Sequence, residues 1–130
     1  MYCFELTDTI KKFVENLSKE TGLEVRSLVY YVRNPLKVKC VNISNSDPLD
    51  FVRYFADAEY VVTNSFHGTA FAINLNKNFF VDLLVRSSNV NSRLENIIRL
   101  TNLESRYIKD NKSIKELLND RIDWQKINCL

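Results

Sequence analysis

The stretch Glu59-Tyr60-Val61-Val62-Thr63-Asn64-Ser65-Phe66-His67-Gly68-Thr69-Ala70-Phe71-Ala72-Ile73-Asn74-Leu75 decides the fold. Glu59 to Thr63 reads as a short strand. Tyr60-Val61-Val62 is its core; the run Leu28-Val29-Tyr30-Tyr31-Val32 elsewhere in the chain does not alternate, as expected of a strand covered on both faces. Asn64-Ser65 breaks strand 59–63, and either residue can cap a following helix. From Phe66 to Leu75, Thr69, Ala70, Ala72 and Ile73 recur at helical spacing and are small enough for close packing on a sheet. Strand thus gives way to helix within about three residues, the short connection of an α/β unit.

The same alternation extends outward. Residues 79–85 read as a further strand, apolar except for Asp82, and residues 86–91 as a loop. Ser92-Arg93-Leu94-Glu95 has the spacing of a capping box, which predicts a helix with Leu94, Ile97 and Ile98 inward. Arg106-Tyr107-Ile108 suits a last short strand. Ser113-Ile114-Lys115-Glu116 is a second capping box, ahead of Leu117 and Leu118; residues 120–130 are ambiguous. Upstream, Asp47 suits an N-cap, Pro48 the first helical position and Asp50 the first turn, with Leu49, Val52 and Phe55 as the buried stripe. Residues 42–47 are polar and loop-like, residues 37–41 alternate as a strand, and residues 23–32 form a strand ended by Asn34-Pro35. Residues 4–20 carry Ile10, Phe13, Val14 and Leu17 at helical spacing, with Gly22 where a stop is expected. The expectation is one α/β domain over residues 1–130, Rossmann-like, with a mostly parallel sheet and flanking helices.

Composition narrows the function classes. The chain has 130 residues, 45% hydrophobic and 26% charged, with a formal net charge of +2. That length and apolar content support a core and exclude a disordered chain. Gly22 and Gly68 are the only glycines, so neither a P-loop nor a GxGxxG fingerprint is present. One His and no C-x-x-C pair leave no recognisable metal set, and no cofactor is expected. Basic residues are scattered among acidic ones, unlike the concentrated face of a nucleic-acid binder. Cys3, Cys40 and Cys129 read as free thiols of a reducing cytoplasm, and no apolar run approaches the ~18 residues of a membrane span.

In open α/β sheets, ligands bind beyond the carboxyl ends of the strands. Asn64-Ser65-Phe66-His67-Gly68-Thr69 lies there, and joins the single His to one of the two glycines. A helix start offers amides to an anion, Gly68 allows close backbone approach, and His67 can donate a hydrogen bond or move a proton. The alternative is structural: His67 and Ser65 as ordinary helix-start residues, Gly68 as a packing necessity. Arg93, read as the first helical position after Ser92, and Arg86, in the loop after strand 79–85, are candidate cationic partners. Asp82, Tyr30, Tyr31 and Trp124 read as structural.

The segment Ala58 to Phe71 strongly resembles the polysaccharide pyruvyl transferase family, whose members carry Ala-Asp-Tyr-Val-Val-Thr-(Asp/Asn)-Ser-Phe-His-Gly-Thr. The resemblance takes in Asp47-Pro48-Leu49-Asp50-Phe51, Asn76-Lys77-Asn78-Phe79-Phe80, Asn91-Ser92-Arg93-Leu94-Glu95 and Leu103-Glu104-Ser105-Arg106-Tyr107, about residues 20–110. It implies the C-terminal lobe of a glycosyltransferase-B-like two-lobed enzyme. It implies transfer of a pyruvyl group from phosphoenolpyruvate to sugar hydroxyls in cell-surface polysaccharide synthesis, with His67 in donor binding and catalysis. With the strand-end reading above, Asn64, Ser65, Phe66, Gly68, Thr69, Arg93 and Arg86 are the expected substrate-binding set; some family members carry Arg where this chain has Ser65. Family enzymes are commonly more than twice as long, so the resemblance implies that the acceptor-side lobe is absent from these residues; another chain supplies it, or these residues are a truncated product or fragment. The implied location is the cytoplasm, including the inner face of the membrane. The competing expectation is a stand-alone, non-catalytic module that binds a phosphorylated ligand or a partner chain, or associates with itself through the face a second lobe would cover.

Overall fold

The structure is a computed structural model that describes residues 1–3, 6–28, 36–43, 48–83, 88–108 and 113–129. In chain order these form α1 (Asp8–Thr21), β1 (Val25–Ser27), β2 (Cys40–Asn42), α2 (Pro48–Asp57), β3 (Tyr60–Thr63), α3 (Phe66–Asn74), β4 (Asn78–Val81) and α4 (Ser88–Thr101). A 3-10 turn (Glu104–Arg106), α5 (Ile114–Asn119) and α6 (Trp124–Asn128) follow.

The strands are parallel. β1 pairs with β2 from Val25↔Cys40 to Ser27↔Asn42, and β3 with β4 from Tyr60↔Asn78 to Thr63↔Val81. The segment Met1–Cys3 joins these two ladders. Its Tyr2 bridges Thr63 in parallel, with the Tyr2 amide donating to the Val62 carbonyl at 3.0 Å. On its other side the Met1 amine donates to the Arg26 carbonyl at 2.8 Å and the Leu28 amide to the Met1 carbonyl at 2.9 Å. Tyr107 bridges Val81 on the far edge of β4. Across the sheet the order is therefore β2, β1, Met1–Cys3, β3, β4, Tyr107. That is the order of a doubly wound dinucleotide-type sheet, with its reversal point between Met1–Cys3 and β3.

Alternation along β3 and β4 builds a core on each face. Val62 and Phe80 point to one side, with Ile10, Phe13, Val14 and Leu17 of α1 and Leu117 of α5. Val61, Phe79 and Val81 point to the other, with Phe55 of α2, Ala72 of α3 and Leu94 and Ile98 of α4. Helices on both faces explain why the β3 and β4 sequences show no polar alternation. Arg106 closes the edge. It is 2% exposed, donates from Nε to the Phe79 carbonyl at 2.8 Å and from Nη1 to the Asp120 carbonyl at 2.6 Å, and lies 4.3 Å over the Phe80 ring.

Several expected elements hold. The α1 stripe is buried as read, and Gly22 ends the helix at φ 73° in the left-handed region. Ser65 caps α3, and Ser113 caps α5 by accepting from the Glu116 amide. Others differ. α4 begins at Ser88, so Ser92 and Arg93 lie inside the helix instead of at its start; a Ser-x-x-Glu spacing also fits a helix interior. In α2 the inward face carries Phe55 and Phe51, while Leu49 is 70% and Val52 38% exposed. The aromatic cluster of Tyr2, Phe51, Phe55 and Phe71 sets that rotation. β4 ends at Val81, placing Asp82 just past the strand, and residues 104–106 form a 3-10 turn with only a single bridge at Tyr107. Tyr30, Tyr31, Asn34, Pro35 and Asp47 lie outside the described residues. No described helix is long and apolar enough to cross a membrane.

Candidate functional site

The β3–α3 turn stands at the carboxyl edge of the sheet, beside its reversal point. Thr63, Asn64 and Ser65 are buried, and the polar atoms of Thr63 and Ser65 hold the turn in shape. The Ser65 amide donates to Thr63 Oγ1 at 3.0 Å. Ser65 Oγ accepts from the Gly68 amide at 3.4 Å, and the Ser65 carbonyl accepts from both the Thr69 amide and Thr69 Oγ1 at 3.0 Å. Ser65 and Thr69 are thus engaged in the turn itself. The cap leaves the Phe66 and His67 amides at the open end of α3, where the helix dipole adds to them as donors for an anion.

Gly68 faces the protein's own wall. A Cβ there would meet Thr63 Oγ1 at 2.5 Å and Tyr2 Cδ1 at 2.9 Å. The missing side chain lets the first turn of α3 lie directly on β3 and on the Met1–Cys3 segment, which fixes where residues 66 and 67 stand.

Phe66 organises the outward side. The His67 ring meets its edge at a centroid distance of 5.8 Å and an interplanar angle of 79°. The Arg93 guanidinium lies 4.3 Å over its face. The His67 and Arg93 side chains are both exposed and flank the same half-buried ring. Arg93 reaches it from within α4, which packs beside α3. Arg86 lies outside the described residues.

Two further groups at this edge escape sequence reading. Cys3 is 5% exposed, and burial pushes its thiol up to about 11, against a lowering by the N-terminal amine and by a hydrogen bond from the Asn64 backbone, while Asp82 raises it further. Asp82, the first residue after β4, donates its amide to the Thr63 carbonyl at 3.1 Å. The signal for Asp82 was its place in the chain, had the strand been ended at Val81. Cys3 gave none, because three residues are too short for a period. Among the described residues no group of His, Cys, Asp and Glu could hold a metal ion.

The polysaccharide pyruvyl transferase family model matches residues 2–81, from the Met1–Cys3 segment to the end of β4. The matched span contains the whole β3–α3 turn and stops short of Arg93. No curated protein and no solved structure matches the chain. The matched residues are more than half of the chain and include β1 to β4 and the β3–α3 turn, and the chain belongs to the polysaccharide pyruvyl transferase family.

Proposed function

We propose that the chain is the donor-binding lobe of an enzyme that transfers a pyruvyl group from phosphoenolpyruvate to sugar hydroxyls. The observation that carries this reading is the joint placement of the open α3 amides, His67 and Arg93 around Phe66 at the carboxyl edge of the sheet.

Phosphoenolpyruvate presents a phosphate and a carboxylate. The Phe66 and His67 amides suit one anion, and the planar guanidinium of Arg93 suits bidentate donation to the other. Transfer needs a proton on the methylene carbon, attack by a sugar hydroxyl at the adjacent carbon, and departure of phosphate as a second hydroxyl closes the ketal. In this reading a protonated His67 supplies that proton or assists phosphate departure. A second wall that excludes water and holds the acceptor is expected from another lobe.

The test is titration of phosphoenolpyruvate into the chain, followed by thermal melting, since a ligand of the folded state raises the midpoint with occupancy. Phosphoenolpyruvate should raise it, His67→Ala and Arg93→Ala should each weaken the effect, and pyruvate alone should act far less. A melting temperature indifferent to phosphoenolpyruvate at millimolar concentration refutes the reading.

A further inference from the structure

We propose that Phe66 is a positioning residue. Its ring holds the Arg93 guanidinium flat, so that the in-plane N–H groups of Arg93 are presented to an anion at the start of α3. The inference rests on the donor-site reading and adds to it what orients the cation.

Three described arginines lie over aromatic rings, and they differ in what becomes of their hydrogen-bond donors. The Arg106 guanidinium stands 4.3 Å over Phe80, but its Nε and Nη1 donate to the Phe79 and Asp120 carbonyls. Arg26 lies 5.9 Å over the Tyr54 ring and pairs through Nε with Glu24 at 3.7 Å. Arg93 is as close to Phe66 as Arg106 is to Phe80, at 4.3 Å. Among the described residues, however, Arg93 has no hydrogen-bond or ion-pair partner. A guanidinium meets a ring through its face and an oxyanion through the edge of its plane. Stacking on Phe66 therefore orients Arg93 while its N–H groups stay available for bidentate donation.

The ring has a fixed origin. Phe66 is the first residue of α3, directly after the Ser65 cap, and Gly68 seats that turn against Thr63 and Tyr2. α4, which carries Arg93, packs beside α3. His67 meets the same ring at 5.8 Å, at the same helix end. An exposed arginine otherwise samples many rotamers, and its ordering at the moment of binding costs affinity. The stack removes part of that cost before the anion arrives. An aliphatic side chain at this position would fill similar space without the quadrupole that attracts the cation.

The probes are inorganic phosphate and phosphoenolpyruvate. They are titrated into the parent chain, Phe66→Leu, Phe66→Tyr, Arg93→Ala and the Phe66→Leu, Arg93→Ala double variant, with the Arg93 Nε–Hε signal followed by NMR. In the free parent the ring should displace the Arg93 Hε signal upfield, and Phe66→Leu should return it toward the ordinary arginine position. Phe66→Leu should bind both anions about threefold to fivefold more weakly, the size of a cation–π contact at an exposed site. Phe66→Tyr, which keeps the ring, should recover most of that loss. Once Arg93 is alanine, Phe66→Leu should weaken binding no further, whereas a merely structural Phe66 would weaken it equally in both backgrounds. This pattern with phosphate but no tighter binding of phosphoenolpyruvate refutes the donor reading and still supports the role of Phe66. An Arg93 Hε signal without upfield displacement, equal affinities of Phe66→Leu and the parent, no recovery in Phe66→Tyr, or an equal loss in the Arg93→Ala background overturns the proposal. Failure of both anions to bind the parent overturns it together with the donor reading.

Discussion

Gly68→Ala tests whether the α3 start is held by contact with β3. The added Cβ would stand 2.5 Å from Thr63 Oγ1, 2.9 Å from Tyr2 Cδ1 and 3.1 Å from Thr63 Cβ. Thr63 is fully buried, and its Oγ1 also accepts the Ser65 amide at 3.0 Å, so it cannot swing aside without loss of that bond. Overpacking of this kind costs about 1–3 kcal/mol, and a broken buried hydrogen bond about 1 kcal/mol more. Alanine's better helix propensity returns at most about 1 kcal/mol. The expected net loss is about 2 kcal/mol, or roughly 8 °C in melting temperature for a domain of this size. Urea denaturation of four proteins measures it: the parent, Gly68→Ala, Thr63→Ala and the double variant. Removal of Oγ1 relieves the shortest contact, so Gly68→Ala should cost under about 1 kcal/mol in the Thr63→Ala background. A Gly68→Ala protein as stable as the parent, or an equal cost in both backgrounds, refutes the reasoning.

Three other outcomes follow from the packing. Arg106→Lys should lose about 2–4 kcal/mol in chemical denaturation, since an ammonium cannot serve the Phe79 and Asp120 carbonyls together while stacking on Phe80. Cys3 holds its proton up to about pH 11 when folded against an ordinary 9.0, so the folded chain binds more protons in that window. Its contribution is complete below pH 9.0 and lost as pH rises through about 11, up to roughly 3 kcal/mol, and Cys3→Ser should flatten the alkaline limb of a stability profile relative to the parent. In α2, Leu49→Ser should stay within about 0.5 kcal/mol of the parent, whereas Phe55→Ala should cost about 3–5 kcal/mol, as measured by urea midpoints.

What could be read in advance was what local chemistry encodes. The α1 stripe, the Gly22 stop, the Ser65 and Ser113 caps and the largely parallel sheet all follow from spacing, from the alternation of elements or from a single residue's hydrogen-bonding habit. Two kinds of feature did not. The rotation of α2 depends on partners far away in the chain: Leu49 and Val52 are as apolar as a buried stripe requires, but the ring cluster around Tyr2 and Phe71 turns Phe51 inward instead. The Met1–Cys3 segment is too short to show any period, and it supplies the central position of the sheet. With it missing from the reading, the strands could be recognised as parallel and their order could not be derived.

That central segment also explains why so few glycines suffice. A phosphate loop encloses its anion with several successive amides and needs glycine for the curvature. Here the turn stays in ordinary backbone conformations, with Ser65 extended at φ −106° and ψ 138°, and contributes only the first amides of α3. In the proposed donor site, side chains from two helices, His67 and Arg93, make up the difference, and both lie against the Phe66 ring. The one glycine in the turn works behind the site, against Thr63 and Tyr2, where it lets the helix start sit close to the sheet. Substitution there should therefore weaken anion binding by displacing the helix, and substitution at His67 or Arg93 should weaken it with the melting temperature of the free chain nearly unchanged, since both side chains are exposed.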